Sequence, residues 1–178
     1  MTKLYRKRGI INMERYTLSV LVENHAGVLS RVVGLFSRRG FNIHSLSVGP
    51  TQDEKISRIT IEVYGDELLL EQISKQLSKL VEVIKIKTLK KRDIVKRGLI
   101  LVKVKVTPKT RSEVLEITNV FRANIVDISS STVTIELTGG NGKLNAFLEM
   151  IEVYGIEEIA RTGMTALERG TNTLKLDK

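Results

Sequence analysis

One order of hydrophobic periods runs along this chain twice, and that repetition limits the possible folds more than any other feature. Tyr16, Leu18, Val20 and Val22 alternate with Thr17, Ser19 and Glu23, the period of a half-buried strand. After the loop Asn24-His25-Ala26-Gly27, the residues Val28, Leu29, Val32, Val33, Leu35 and Phe36 recur at helical spacing, and Gly40 suits the helix C-terminus. Phe41–Gly49 is a second strand whose apolar phase slips between Ile43 and Leu46, which predicts a bulge or burial on both faces. Pro50–Glu54 is a turn, and Ile59, Ile61 and Val63 mark a third strand. Gly65-Asp66 offers a break and an N-cap before a helix carrying Leu69, Ile73, Leu77 and Leu80, and Val83–Leu89 is a fourth strand.

The same order returns after the charge run Lys90–Gly98. Ile100, Val102, Val104 and Val106 form a strand that Thr107-Pro108 ends, and Ser112 is placed to cap a helix holding Val114, Leu115, Ile117, Val120 and Phe121. Asn124–Ile128 and Val133–Leu137 are two strands, Gly139–Gly142 precedes a helix with Leu144, Phe147, Leu148 and Ile151, and Glu157–Thr162 is a short last strand. Each half is therefore βαββαβ, the split βαβ unit. The expected class is α+β with two tandem ferredoxin-like domains, each an antiparallel sheet with its helices on one face. The expected organisation is a basic tail over 1–13, a first domain over 14–90, a charged linker over 91–97, a second domain over 98–170 and a C-terminal tail over 171–178.

Composition narrows the chemistry. The chain has 178 residues, no cysteine and two histidines, His25 and His44. That excludes a disulfide scaffold, thiolate catalysis and cysteine-ligated zinc, and argues against a histidine metal site. No apolar run reaches the roughly 18 residues of a membrane helix, and Met1–Asn12 lacks the apolar stretch of a signal peptide, so the expected address is cytoplasmic, with Met13 a second candidate start. The net charge is +9, but residues 1–15 contribute +4 and residues 85–97 contribute +6, leaving the rest balanced. A nucleic-acid surface expects a basic face interleaved with aromatic side chains. With four Phe, four Tyr and no Trp, none is evident and no nucleic-acid partner is expected. No motif nominates a catalytic site. Gly139-Gly140-Asn141-Gly142-Lys143 lacks the spacing of a phosphate loop and has Leu144 where the metal-binding hydroxyl belongs, so it reads as a glycine turn.

The turn Glu23–Leu29 is more suggestive. It runs from a buried strand into an apolar helix, whose N-terminus leaves unpaired backbone N–H groups and partial positive charge for a carboxylate. Ala26 and Gly27 allow close approach to the backbone, and Asn24 offers both a donor and an acceptor on a short side chain.

These residues resemble a known family. Asn24–Val32, Gly34–Ile43, Leu46–Thr51, Ser57–Ile61 and Leu70–Leu77 resemble an ACT domain, most closely that of the regulatory small subunit of acetolactate synthase (acetohydroxyacid synthase). The likeness continues through Arg97–Lys103, Phe121–Asp127 and Leu144–Leu148, so it spans roughly residues 14–170.

The resemblance implies a subunit without a catalytic site of its own. It would activate a large subunit that condenses 2-oxo acids and would confer feedback inhibition, usually by valine, in branched-chain amino-acid synthesis. Thiamine diphosphate, Mg and FAD are expected in that large subunit and no cofactor in this chain. ACT domains of this kind pair side by side, so a homodimer is expected, with no membrane partner. The matched effector-binding positions are Asn24, Gly27 and Asn42, with His25, Ala26, Val28, Leu29 and Ile43 as pocket neighbours. Two rival readings stand beside this one: a stand-alone ACT regulator of another target, and a basic nucleic-acid-binding protein, which would need an aromatic motif that these strands do not supply.

Overall fold

The computed structural model describes residues 14–174; the basic tail 1–13, with the candidate start at Met13, and residues 175–178 lie outside them. The described residues divide into two compact units, 14–93 with 171–174, and 94–170.

In the first unit, β1 (Glu14–Glu23), α1 (Val28–Arg38), β2 (Ile43–Pro50), β3 (Ile56–Gly65), α2 (Glu67–Leu77) and β4 (Val83–Leu89) follow the expected order. The sheet is antiparallel between neighbours, in the order β2-β3-β1-β4. The alternation of β1 and β3 sends Leu18, Val20, Val22, Ile59, Ile61 and Val63 to one face, where Val32, Leu35 and Phe36 of α1 and Ile73 and Leu77 of α2 complete the core. Full burial of each such side chain contributes about 1.5–3 kcal/mol. The slip foreseen in the second strand is a bulge: Ile43 pairs with Val63 and Ser45 with Glu62, so His44 is the extra residue. Asp66 caps α2, its Oδ1 accepting from the Leu69 N–H at 2.8 Å. The opposite face is polar yet buried at Thr17, Ser19, Thr60 and Glu62. Arg58 lies there, donating to Ser19 Oγ and to the Leu174 carbonyl, and burial lowers its pKa. Leu174, expected to lie in a trailing tail, is itself buried against Leu21 and Ile56 of this unit.

The second unit holds β5 (Ile94–Lys105), α3 (Arg111–Val120), β6 (Asn124–Ile128), β7 (Thr132–Gly139), α4 (Asn141–Ile151), a single 3-10 turn at Glu152–Tyr154, β8 (Ile156–Arg161) and β9 (Thr165–Glu168). The main path is β6-β7-β5-β8, with β9 also paired to β5. Three expectations change. The linker placed at 91–97 is shorter, because β5 begins at Ile94 and its first four residues pair with β9, Ile94 opposite Glu168 and Arg97 opposite Thr165. Lys96 and Arg97 mask the apolar period there, and the pairing that makes the strand lies some 70 residues away in sequence. β9 is an additional strand, since Glu157–Thr162 was expected to be the last. Finally, Ser112 does not cap α3. Thr107 and Thr110 close the turn reciprocally, each backbone N–H donating to the other's Oγ1 at 2.9 and 3.2 Å.

The repetition extends to how helices end. After α1, Gly40 adopts φ +67°, and the N–H groups of Gly40 and Phe41 donate to Ser37 and Phe36 carbonyls, while the Phe36 and Phe41 rings meet edge-on. This is a Schellman motif. After α3 the same bonds run from Arg122 to Asn119 and from Ala123 to Thr118, but Arg122 holds φ +51° with a side chain. A non-glycine residue there costs about 1–2 kcal/mol. Arg122→Gly is therefore expected to raise the unfolding free energy by about 1 kcal/mol, measured by urea denaturation against Gly40→Ala, which is expected to lower it.

Candidate functional site

The β1-to-α1 turn is held by three hydrogen bonds from two neighbouring segments. The Asn24 N–H donates to the Lys55 carbonyl at 2.7 Å and its Nδ2 to the Glu54 carbonyl at 2.7 Å, tying the turn to the β2–β3 loop. The Glu23 N–H donates to the Glu82 carbonyl at 2.9 Å. Among the described residues, the Asn24 amide oxygen accepts no hydrogen bond, so it stands ready for a donor. Both ring nitrogens of His25 face oxygens, Nδ1 the Ala26 carbonyl at 3.1 Å and Nε2 the Glu23 carboxylate at 3.0 Å. His25 is thereby engaged in bracing its own turn.

Gly27 is the residue preceding α1 and sits at φ +89°, a conformation open to glycine. A Cβ there would meet nothing within 4 Å, so backbone conformation and not space requires the glycine. The helix that follows has no side-chain cap and no acidic residue in its first turn. Its N-terminus thus keeps its capacity for an external anion. Val28 and Leu29 part company here. Val28 turns into the core with Val32 and Phe36, against the expectation of a pocket wall, whereas Leu29 remains over a third exposed. The helical stripe explains this: Val28 starts the buried row and Leu29 falls on its margin.

Asn42 and Ile43 lie far from this turn within one chain. Ile43 pairs with Val63, which pairs with Tyr16 near the start of β1, while Glu23 at the end of β1 pairs with Ile56. Eight strand residues separate the two sites, roughly 25 Å along the sheet. Asn42 is exposed, and Ile43 packs partly on the core. The structure therefore brings together Asn24, His25, Ala26, Gly27, Val28 and Leu29 and leaves Asn42 and Ile43 at the opposite end of the same sheet. β2, which starts at Ile43 just after Asn42, is the terminal strand of the four-stranded sheet.

His44 also falls outside the turn. Its ring meets Tyr64 edge-on at 4.9 Å between centroids, and Arg15 reaches both His44 Nε2 and the Tyr64 hydroxyl. The glycine stretch before α4 is tighter than expected: Gly139 ends β7, Gly140 alone precedes the helix, Asn141 and Gly142 already belong to it, and Lys143 Nζ donates to the Thr138 carbonyl at 3.2 Å. Among the described residues no group of three or more His, Cys, Asp or Glu is placed to hold a metal ion, and no helix is long and apolar enough to cross a membrane. The carbonyls of Glu54 and Lys55 and the side chain of Glu82 were not foreseen. Backbone acceptors carry no residue signature, and a lone glutamate near a strand start carries little.

The first βαββαβ unit is an ACT domain: residues 18–85 match the AHAS small subunit-like ACT domain. Residues 97–170 match the small subunit of acetolactate synthase. The chain is 50% identical over 156 residues, 88% of its own length and 98% of the relative's, to a probable acetolactate synthase small subunit of Archaeoglobus fulgidus. It is 48% identical over 162 residues, 90% of its length and 99% of the relative's, to the acetolactate synthase isozyme 3 small subunit of Escherichia coli. A crystal structure of the acetolactate synthase small subunit from Thermotoga maritima superposes with a TM-score of 0.84 at 38% identity, covering 89% of this chain and 99% of that one. The chain belongs to the acetolactate synthase small-subunit family, a family of regulatory subunits.

Because the left-handed backbone alone demands glycine at 27, Gly27→Ala is expected to lower the unfolding free energy by about 1–2 kcal/mol. Chemical denaturation checks this; an unchanged midpoint would mean that the turn relaxes without cost.

Proposed function

We propose that this chain is the regulatory partner of a large acetolactate synthase subunit, activating it and conferring inhibition by a branched-chain amino acid, with valine the first candidate. The thiamine-diphosphate chemistry, with Mg and FAD, would belong to the large subunit. This chain would contribute no catalytic group.

The reading rests on one observation: the matched residues stand at opposite ends of one sheet in which β2 is the terminal strand. Two copies joined antiparallel through β2 would place the partner's Asn42 beside Pro50. Pro50 pairs with Ser57, and Ser57 with Val22, next to the Asn24 turn. One pairing thus reunites the split residues twice, giving two sites per pair. Pro50 is compatible with this, because it ends an edge strand and interrupts no interior ladder.

In that frame the amino acid meets complementary groups. Its carboxylate accepts from the N–H groups opening α1, where charge-assisted bonds are strong and no acidic side chain competes. Its ammonium donates to the Asn24 amide oxygen and to the partner's Asn42. Leu29, exposed at the turn, offers the aliphatic side chain its wall. Because burying a zwitterion demands partners for both charges, a half-site in one chain binds weakly and the paired site binds well. Effector binding then favours one arrangement of the paired domains, and inhibition follows by differential affinity for the arrangement that activates the large subunit poorly.

Asn24→Ala removes the amide oxygen that would receive the ammonium. A lost hydrogen bond to a charged group is worth about 1.5–3 kcal/mol, so the valine concentration for half-inhibition of the reconstituted enzyme should rise at least about tenfold. Activation without valine should stay within about twofold. Normal valine sensitivity in Asn24→Ala would contradict the site.

A further inference from the structure

Both limbs of the effector turn are fastened to a single residue that no matched position includes. The entering limb, the end of β1, donates its Glu23 N–H to the Glu82 carbonyl at 2.9 Å. The leaving limb, α1, is closed where the Arg31 N–H donates to the Gly27 carbonyl at 3.0 Å. The Arg31 guanidinium then donates through Nη1 to the Glu82 carboxylate. Glu82 is 6% exposed, although the arginine it meets is largely in solvent. A carboxylate so buried is costly unless it is paired, and here its partner is the side chain that terminates the first turn of the effector helix.

We infer that Glu82 is a positioning residue for the effector site: through its carbonyl and carboxylate it sets the separation between the end of β1 and the start of α1. This rests on the amino-acid-binding reading above. A zwitterion presents its two charges on adjacent carbons, so the Asn24 oxygen and the α1 N–H groups must be held at one spacing to receive both. The β2–β3 loop fixes Asn24 through Glu54 and Lys55 but does not reach α1 through either bond. Glu82 does. The pairing has an electrostatic consequence too. Arg31 ends the first turn of a helix whose N-terminus is already positive, and the Glu82 carboxylate offsets that charge. Without it, a bare guanidinium would offer an anion a competing partner beside the α1 N–H groups.

The test uses the full-length chain and two charge-removing substitutions, the isosteric Glu82→Gln and the shorter Arg31→Gln, with the double variant. Titration with L-valine is expected to show each single variant binding about tenfold more weakly and the double variant no worse than either, the signature of one shared interaction. Amide hydrogen exchange across residues 24–30 is expected to quicken about tenfold in each variant while the core strands keep their protection. Activation of the large subunit without valine is expected to stay within about twofold. Unchanged valine affinity with unchanged exchange overturns the proposal, and so does an additive double variant. If the unmodified chain binds none of valine, leucine and isoleucine, the effector reading fails by itself. The exchange measurement still decides whether Glu82 holds the turn, since slow exchange in Glu82→Gln would overturn that role independently.

Discussion

The pairing of β1 with β3 governs the first unit. Ten consecutive residues of β1, Glu14 to Glu23, face ten of β3 in an unbroken antiparallel register. With Leu18 opposite Ile61 and Val20 opposite Ile59, a slip by one residue would carry the whole apolar row to the polar face. That single constraint decides which residues are buried. It also decides where each strand ends, and so where the turn at 24–29 and the entry at 42 come to lie. Their distance within one chain is a consequence of register, and the appeal to a second copy follows from it.

The two units share their order of elements but use it differently. Both end their first helix in a Schellman motif, with glycine in one case and a strained arginine in the other. Their first strand-to-helix turns diverge more. Neither helix has a side-chain cap, but Gly27 turns left-handed before an α1 with no acidic residue in its first turn, whereas Thr107 and Thr110 bond each other before an α3 that carries Glu113 in its first turn. The ligand-ready features therefore belong to the first unit. The second has spent the same place in its fold on internal hydrogen bonds. No role in the second unit follows from that comparison beyond its match to the family's C-terminal region.

Strands with strict alternation were plain in the sequence, because period two survives any tertiary context in which one face is buried. The bulge at His44 was visible for the same reason, as a break in that period. The strand start at Ile94 and the partner at Thr165–Glu168 were hidden: lysine and arginine obscure the alternation, and each segment is a strand only because the other is present. At the site, Asn24 and Gly27 were legible as residue types suited to a turn, and the family likeness added Asn42. Val28 was misassigned to a pocket wall because adjacency in sequence does not separate the core-facing row of a helix from its margin. The supports of Asn24 were beyond reach, being carbonyl groups of residues 54 and 55 that any side chain there would supply.

The most direct test measures a distance across the pair. Two populations of the chain, one spin-labelled at position 24 and the other at position 42, are mixed and examined by pulsed dipolar spectroscopy. Antiparallel joining of β2 edges puts these positions on adjoining strand ends, so the mixture should give a short separation of roughly 10–20 Å, set by inter-strand spacing and label length. A chain carrying both labels, diluted in unlabelled protein, should keep only the longer separation of roughly 25 Å expected along one sheet. A mixture with no intermolecular signal would mean that the divided site is never assembled.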